Sequence, residues 1–260
     1  MTHTQDKSAA FGLGVVIFIY LAVLTALEFF VAVTFEAISI LVVIALVKAA
    51  LVMYYYMHIY QLNAENEGDE NSYAFKTGTN RFGLWLFLLS DAFVFGGLLV
   101  MRFNLLAMTR PHLNQTLGLI VTAVLLISSF FMNRGETAMA HGDRKGFLRN
   151  TAITFVLGFI FLIGVVFVEW RLAAEEGLVA SFGNTTVGPQ GAVFYMMTGM
   201  HAFHVFTGLI FLALVWNNAR KGSFSAERHW GVEAATIYWH FVDLVWIFFY
   251  PALYLIGKLS

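Results

Sequence analysis

The chain has 260 residues, 59% hydrophobic and only 12% charged, with a formal net charge of −1. A soluble domain carries about 25% charged residues, so these proportions describe an integral membrane protein and argue against nucleic acid as a partner. The absence of cysteine excludes disulfides, iron–sulfur clusters, thioether-linked haem and thiolate-bridged copper.

In chain order, MTHTQDKSAAF has one Lys and no Arg, and no A-x-A-like cleavage site follows the first apolar run. It reads as retained sequence, not a signal peptide. Seven stretches then reach the roughly 20 apolar residues that a bilayer-crossing helix needs. The first is Phe11–Val33, interrupted by Glu28, and the second is Glu36–Tyr60, containing Lys48. Almost nothing separates them, which predicts a tight helical hairpin. The segment QLNAENEGDENSYAFKTGTN is acidic and rich in Asn and Gly, so residues 63–80 read as a solvated linker between two domains, 1–62 and 81–260.

The third span, Arg81–Phe103, holds Asp91, and the fourth is Gln115–Met132. A basic loop, NRGETAMAHGDRKGFLRN, is expected after it. The fifth span, Thr151–Arg171, ends with Glu169, and a Gly-rich turn segment follows. The sixth, Ala192–Asn217, carries His201 and His204. The seventh starts at His229 and carries Glu233, His240 and Asp243. The predicted fold is therefore all-α, a two-helix hairpin plus a five-helix bundle.

Ten Lys and Arg residues fall on the side of the N-terminus and four on the other, with Lys48 inside a span. The positive-inside rule places the N-terminus in the cytoplasm and the C-terminus outside. Trp85, Trp170, Trp216 and Trp230 sit near span ends, as interfacial aromatics do.

Ionisable groups in hydrocarbon are costly unless paired or turned inward. Counted from the N-terminal face at about 1.5 Å per residue, His204 lies roughly 18 Å deep and Asp243 roughly 16 Å. His201 is one turn from His204, and His240 one turn from Asp243. These four are expected to form a polar seam between the last two helices, by hydrogen bonds; metal ligation by His201 and His204, without a third ligand, is the weaker reading. Lys48 and Asp91 fall at roughly 18 and 14 Å and are expected to form an ion pair or to snorkel to lipid headgroups. Glu28 and Glu169, near the opposite span ends, are expected to be solvated or hydrogen-bonded. A proton relay needs a continuous chain of titratable groups, and none is evident. The only three prolines are Pro111, Pro189 and Pro251, so the broken half-helices of a transporter site are missing.

Five blocks then match one family in its order. They are RFGLWLFLLSDAFVFGG (Arg81–Gly97), HGDRK (His141–Lys145), LGFIFLIGVVFVEW (Leu157–Trp170), FYMMTGMHAFHVFTGL (Phe194–Leu209) and WGVEAATIYWHFVDLVWIFFYPALY (Trp230–Tyr254). This region resembles subunit III of haem–copper terminal oxidases in its five-helix bacterial form. LTALE (Leu24–Glu28) and KAALVMYYYMHI (Lys48–Ile59) resemble the small subunit IV of caa3-type oxidases, so the chain is similar to a subunit IV–subunit III fusion.

The resemblance implies a non-catalytic subunit of a proton-pumping oxidase in a bacterial plasma membrane. It implies no cofactor on this chain, with haem and copper in partner subunits I and II and other respiratory complexes further out. It also implies bound phospholipid in a cleft that the hairpin helps to form, and support for proton uptake by subunit I. Lipid or proton-uptake roles carry over to Arg81, Asp91, Lys221 and His229. Asn218 stands where many members have Arg, so the resemblance implies that this headgroup contact is lost or moved to Arg220. Asp91 replaces the Glu of many members and also appears in quinol-oxidising relatives, leaving cytochrome c and quinol open as donors. The competing readings are the accessory subunit of a nitric oxide reductase and a free-standing transporter.

Overall fold

In the computed structural model the described residues are 7–35, 37–59, 72–180 and 189–259. Seven helices are long and apolar enough to cross a membrane: α1 (Lys7–Phe35), α2 (Ile38–Tyr56), α3 (Tyr73–Leu106), α4 (Gln115–Ala140), α5 (Arg144–Glu175), α6 (Gln190–Arg220) and α7 (Trp230–Leu255). Helices are the natural form for such runs, because in hydrocarbon each backbone N–H and C=O must find its partner within the segment. Side-chain oxygens of Ser72, Asn114 and Asp143 cap α3, α4 and α5, accepting from the amides of Phe75, Leu117 and Gly146.

Two expectations about loops are corrected. Residues 73–80 of the expected linker are the first turns of α3, while 63–71 lie outside the described residues. Most of the expected basic loop is helical, because Asn133–Ala140 continue α4 and α5 begins at Arg144. Its cations are spaced along amphipathic helix ends, and the turn shrinks to residues 141–143. Gly142, at φ 76°, supplies the left-handed step there. The tight hairpin is as expected, with α2 starting three residues after α1 ends.

The last helix is the hub. α7 packs against α2, α3, α4 and α6, α1 lies along α4, and α5 fits between α4 and α6. Gly158 of α5 and Gly208 of α6 leave room for the Trp239 ring, which a β-carbon at Gly158 would overlap. The hairpin is thus seated on the bundle. Three wider π turns interrupt the helices, at Val52–Tyr56, Gly164–Glu169 and Pro251–Leu255. The last begins at proline, whose missing N–H cannot continue the α ladder. Helices alternate in direction, so one face (the N-face) holds the start of α1 and the other (the C-face) the end of α7.

Candidate functional site

The expected four-residue seam divides in two. On the α6 side, His201 Nε2 lies 3.0 Å from the Val242 carbonyl and its ring stacks near Trp246, with centroids 4.9 Å apart. Around it Trp239 Nε1 donates to Ser128 Oγ and Trp246 Nε1 to Thr122 Oγ1, at 3.2 and 2.9 Å. His240 and Asp243 point elsewhere. They lie within one turn of Val242 but on the helix face turned toward the hairpin, where His240 stacks on Tyr56 at 4.8 Å. Neither ring nitrogen of His240 has a hydrogen-bond partner, and neither does Asp243 Oδ2.

His204 meets Asp91 instead of Asp243. Its Nε2 lies 3.0 Å from Asp91 Oδ2, while Nδ1 lies 2.8 Å from the Met200 carbonyl. A carbonyl only accepts, so Nδ1 carries the proton and Nε2 faces the carboxyl with a lone pair or a second proton. The contact meets the distance of an ion pair but not the alignment of a good hydrogen bond. The contact joins α3 to α6 in mid-membrane.

Lys48 does not pair with Asp91. Its ammonium donates to Glu28 Oε2 at 2.5 Å, and both side chains are buried, 2% and 0% exposed. The pair ties α2 to α1, and Tyr56 Oη adds a bond to the Gly14 carbonyl at 3.2 Å. Lys48 and Asp91 differ by about one turn in depth, but α7 packs against both of their helices. Of the two groups expected to be solvated or hydrogen-bonded, Glu28 is buried and hydrogen-bonded, whereas Glu169 is buried with no hydrogen-bond partner on either oxygen.

At the N-face the cation candidates separate. Arg81 is committed to Glu233, donating through Nε at 2.8 Å and also through Nη2, with its guanidinium 5.9 Å from the Trp230 ring. Arg220 is exposed and stacks over Trp216 at 4.8 Å, and its carbonyl accepts from Arg144 Nη2. Lys221 is exposed, and half-buried His229 has Nδ1 3.2 Å from the Ser225 carbonyl. Nearby, burial with the Arg81 cation pushes the His58 imidazole down to about 4. Lys7 beside Asp143, aided by the Gly146 amide, holds that carboxyl below the usual carboxylate range.

Arg102 is one of the four basic residues counted on the far side, at the end of the third span, and is not among the expected site residues. It is fully buried and donates to four carbonyls: Ala252 at 2.6 Å, Ala107 at 2.7 Å, Thr109 at 2.9 Å and Ile256 at 2.7 Å. A cation here satisfies the exposed carbonyl ends of α3 and α7 together. The adjoining parallel pair, Thr109 with Lys258 and Arg110 with Leu259, completes the clasp. Its position within one turn of the α3 end was the available signal.

Two apolar grooves of about 390 Å³ open on the membrane surface. One lies between α5 and α6, walled by Phe155, Val156, Leu212 and Trp216. The other lies among α3, α6 and α7, walled by Leu84, Phe87, Phe211 and Tyr238. Among the described residues, no three His, Asp or Glu side chains converge where a metal ion could sit.

Comparison with known proteins gives a consistent result. The family model for cytochrome c oxidase subunit III matches residues 2–258, the hairpin included. Cytochrome c oxidase subunit 3 of Thermostichus vulcanus is 36% identical over 183 residues, covering 68% of this chain and 87% of that one. The Synechocystis protein of the same name is 36% identical over 183 residues, 67% and 75% of the two chains. That of Equus caballus is 32% identical over 191 residues, 68% and 70%.

Proposed function

The chain belongs to the cytochrome c oxidase subunit III family, and from that premise we propose the following role. It is the non-catalytic subunit III of a proton-pumping haem–copper oxidase in a bacterial plasma membrane. It holds phospholipid and keeps subunit I and its proton uptake intact during turnover. The N-face lies in the cytoplasm, following the ten-to-four division of basic residues. Haem and copper belong to partner subunits I and II, and the relatives' name points to cytochrome c as donor. The hairpin is the subunit IV-like part of the chain and one wall of the lipid cleft.

The observation that carries the lipid role is the groove between α5 and α6. Its walls are apolar along their length, and Trp216, with Arg220 stacked on it, closes the N-face end. An acyl chain fits the walls, and a phosphate fits the exposed cations Arg220 and Lys221. Arg81, already neutralised by Glu233, is a poorer phosphate ligand. Asp91 and His204, in contact in mid-membrane, tie α3 to the α6 wall of that groove.

Purification in mild detergent through a tag on this chain tests the reading. Subunits I and II, haem, copper and oxygen consumption driven by reduced cytochrome c are expected to co-elute. Replacing Arg220 and Lys221 with Gln is expected to lower the phosphorus retained per complex. A haem-free homo-oligomer would overturn the oxidase role. Unchanged phosphorus would overturn the lipid site alone.

A further inference from the structure

The hairpin face of α7 carries a polar stripe that the support role leaves unused. Glu233, His240, Asp243, Tyr250 and Tyr254 are spaced 7, 3, 7 and 4 residues apart, which places them in one sector of a helix. The stripe rises about 31 Å, close to the hydrocarbon thickness of a bilayer. Asp243 is 3% exposed and His240 0%.

Neighbouring helices extend the line in both directions. Toward the N-face, His240 lies within electrostatic reach of His58, and His58 of Arg81. Glu136 of α4, also buried, lies within electrostatic reach of Glu233 and Arg81. At mid-membrane Asp243 faces the Ser129 hydroxyl and the Lys48 ammonium. Toward the C-face, Glu28 faces Tyr250, whose ring centroid is 5.6 Å from that of Tyr254. The Tyr254 hydroxyl comes close to Glu169 without completing a hydrogen bond.

Three members of the line, Tyr56, Glu169 and Tyr254, sit in the three π turns, where the helix widens. Each end opens on a cavity. Tyr56 and His58 line one of about 240 Å³ at the N-face, together with Asn133. Glu169 lines one of about 380 Å³ at the C-face, with Gln115 and Glu175.

The polar atoms along this line share a property. Glu136 Oε2, both His240 nitrogens, Asp243 Oδ2 and Glu28 Oε1 are buried and have no hydrogen-bond partner, as are the hydroxyls of Tyr250 and Tyr254. Buried polar atoms in native proteins are almost always satisfied, and where protein groups do not serve, ordered water does. A water needs two to four polar partners, and the unpartnered atoms of this line offer them.

We propose that a file of ordered water threads the hairpin face of α7, fed from both cavities and closed at mid-membrane by the Lys48–Glu28 ion pair. Water on either side of the pair can carry protons along the file. The Lys48 ammonium, fixed on the path by Glu28, repels a hydrated proton and keeps the file from becoming a leak. The hairpin thereby seals a polar seam whose opening would short-circuit the membrane.

Radiolytic hydroxyl labelling of the intact, purified complex tests the file, because radicals form from water beside the side chain they modify. Tyr250 and Tyr254 are expected to oxidise about tenfold faster than Phe249 and Phe194, which are equally buried but off the line. Equal rates would overturn the proposal. The barrier is tested with Lys48→Gln in complexes reconstituted into vesicles. A severalfold rise in passive proton leak supports it, and an unchanged leak overturns the barrier role. The labelling uses the unaltered chain, so it decides the matter even if the variant fails to assemble.

Discussion

The two faces of α7 handle buried polarity in opposite ways. On the α4–α6 side, Trp239 and Trp246 place their indole N–H on the hydroxyls of Ser128 and Thr122, and His201 reaches the Val242 carbonyl. His201 Nδ1 is the one orphan in that set. On the hairpin side, Asp243, His240, Tyr250 and Tyr254 are as deeply buried yet carry unpartnered atoms, beside a buried ion pair. The first face reads as construction: large rings set in glycine slots, each donor paired. The second retains titratable groups of a kind that an apolar interface often replaces at little cost in stability.

The largest expected effect comes from breaking the ion pair on the hairpin face. Lys48→Met strands Glu28 in the interior, at a cost of about 3–5 kcal/mol. Adding Glu28→Met is expected to recover most of it, because a buried pair is close to neutral against apolar residues of similar size. Thermal inactivation of the three proteins in detergent checks this; a double variant as weak as the single one would mean that the pair itself is the cohesive element. On the opposite face, Trp239→Phe loses one hydrogen bond and some volume, for about 1–2 kcal/mol, and leaves water-dependent labelling of the hairpin face unchanged. Altered labelling there would show that the two faces are not independent.

Smaller effects are expected at the N-face, where both sets of groups meet water. His58 is held neutral, with a folded value of about 4. The stability tied to it is therefore complete above the ordinary imidazole value of about 6.5 and declines as pH falls toward 4. His58→Gln should flatten that part of a stability–pH curve. Asp143, with its lowered value beside Lys7, contributes in the same direction at lower pH, complete above the usual carboxylate range and lost as pH falls through the folded value. Both partners are 38% exposed, so Lys7→Ala should change stability by less than about 1 kcal/mol.

The spans were legible because length and apolarity alone decide what crosses a bilayer, and all seven appear. Their ends were not, since amphipathic turns such as Asn133–Ala140 extend beyond the apolar run. Partners were legible only where the chain constrains direction as well as depth. Glu28 and Lys48 flank a turn too short to swing, so counting from it would have matched them. Lys48 and Asp91 share only a depth, and depth says nothing about which way a helix faces. The division of His201 and His204 from His240 and Asp243 required the neighbours of α7, though the stripe through Tyr250 and Tyr254 is visible in the spacing.

The central claim is that this chain supports an oxidase without carrying its chemistry. Oxygen consumption by the purified complex, followed over many turnovers with and without this subunit, tests it most directly. Removal is expected to leave a near-normal initial rate and a much shorter active lifetime. An initial rate that collapses on removal, or a lifetime that does not change, would contradict it.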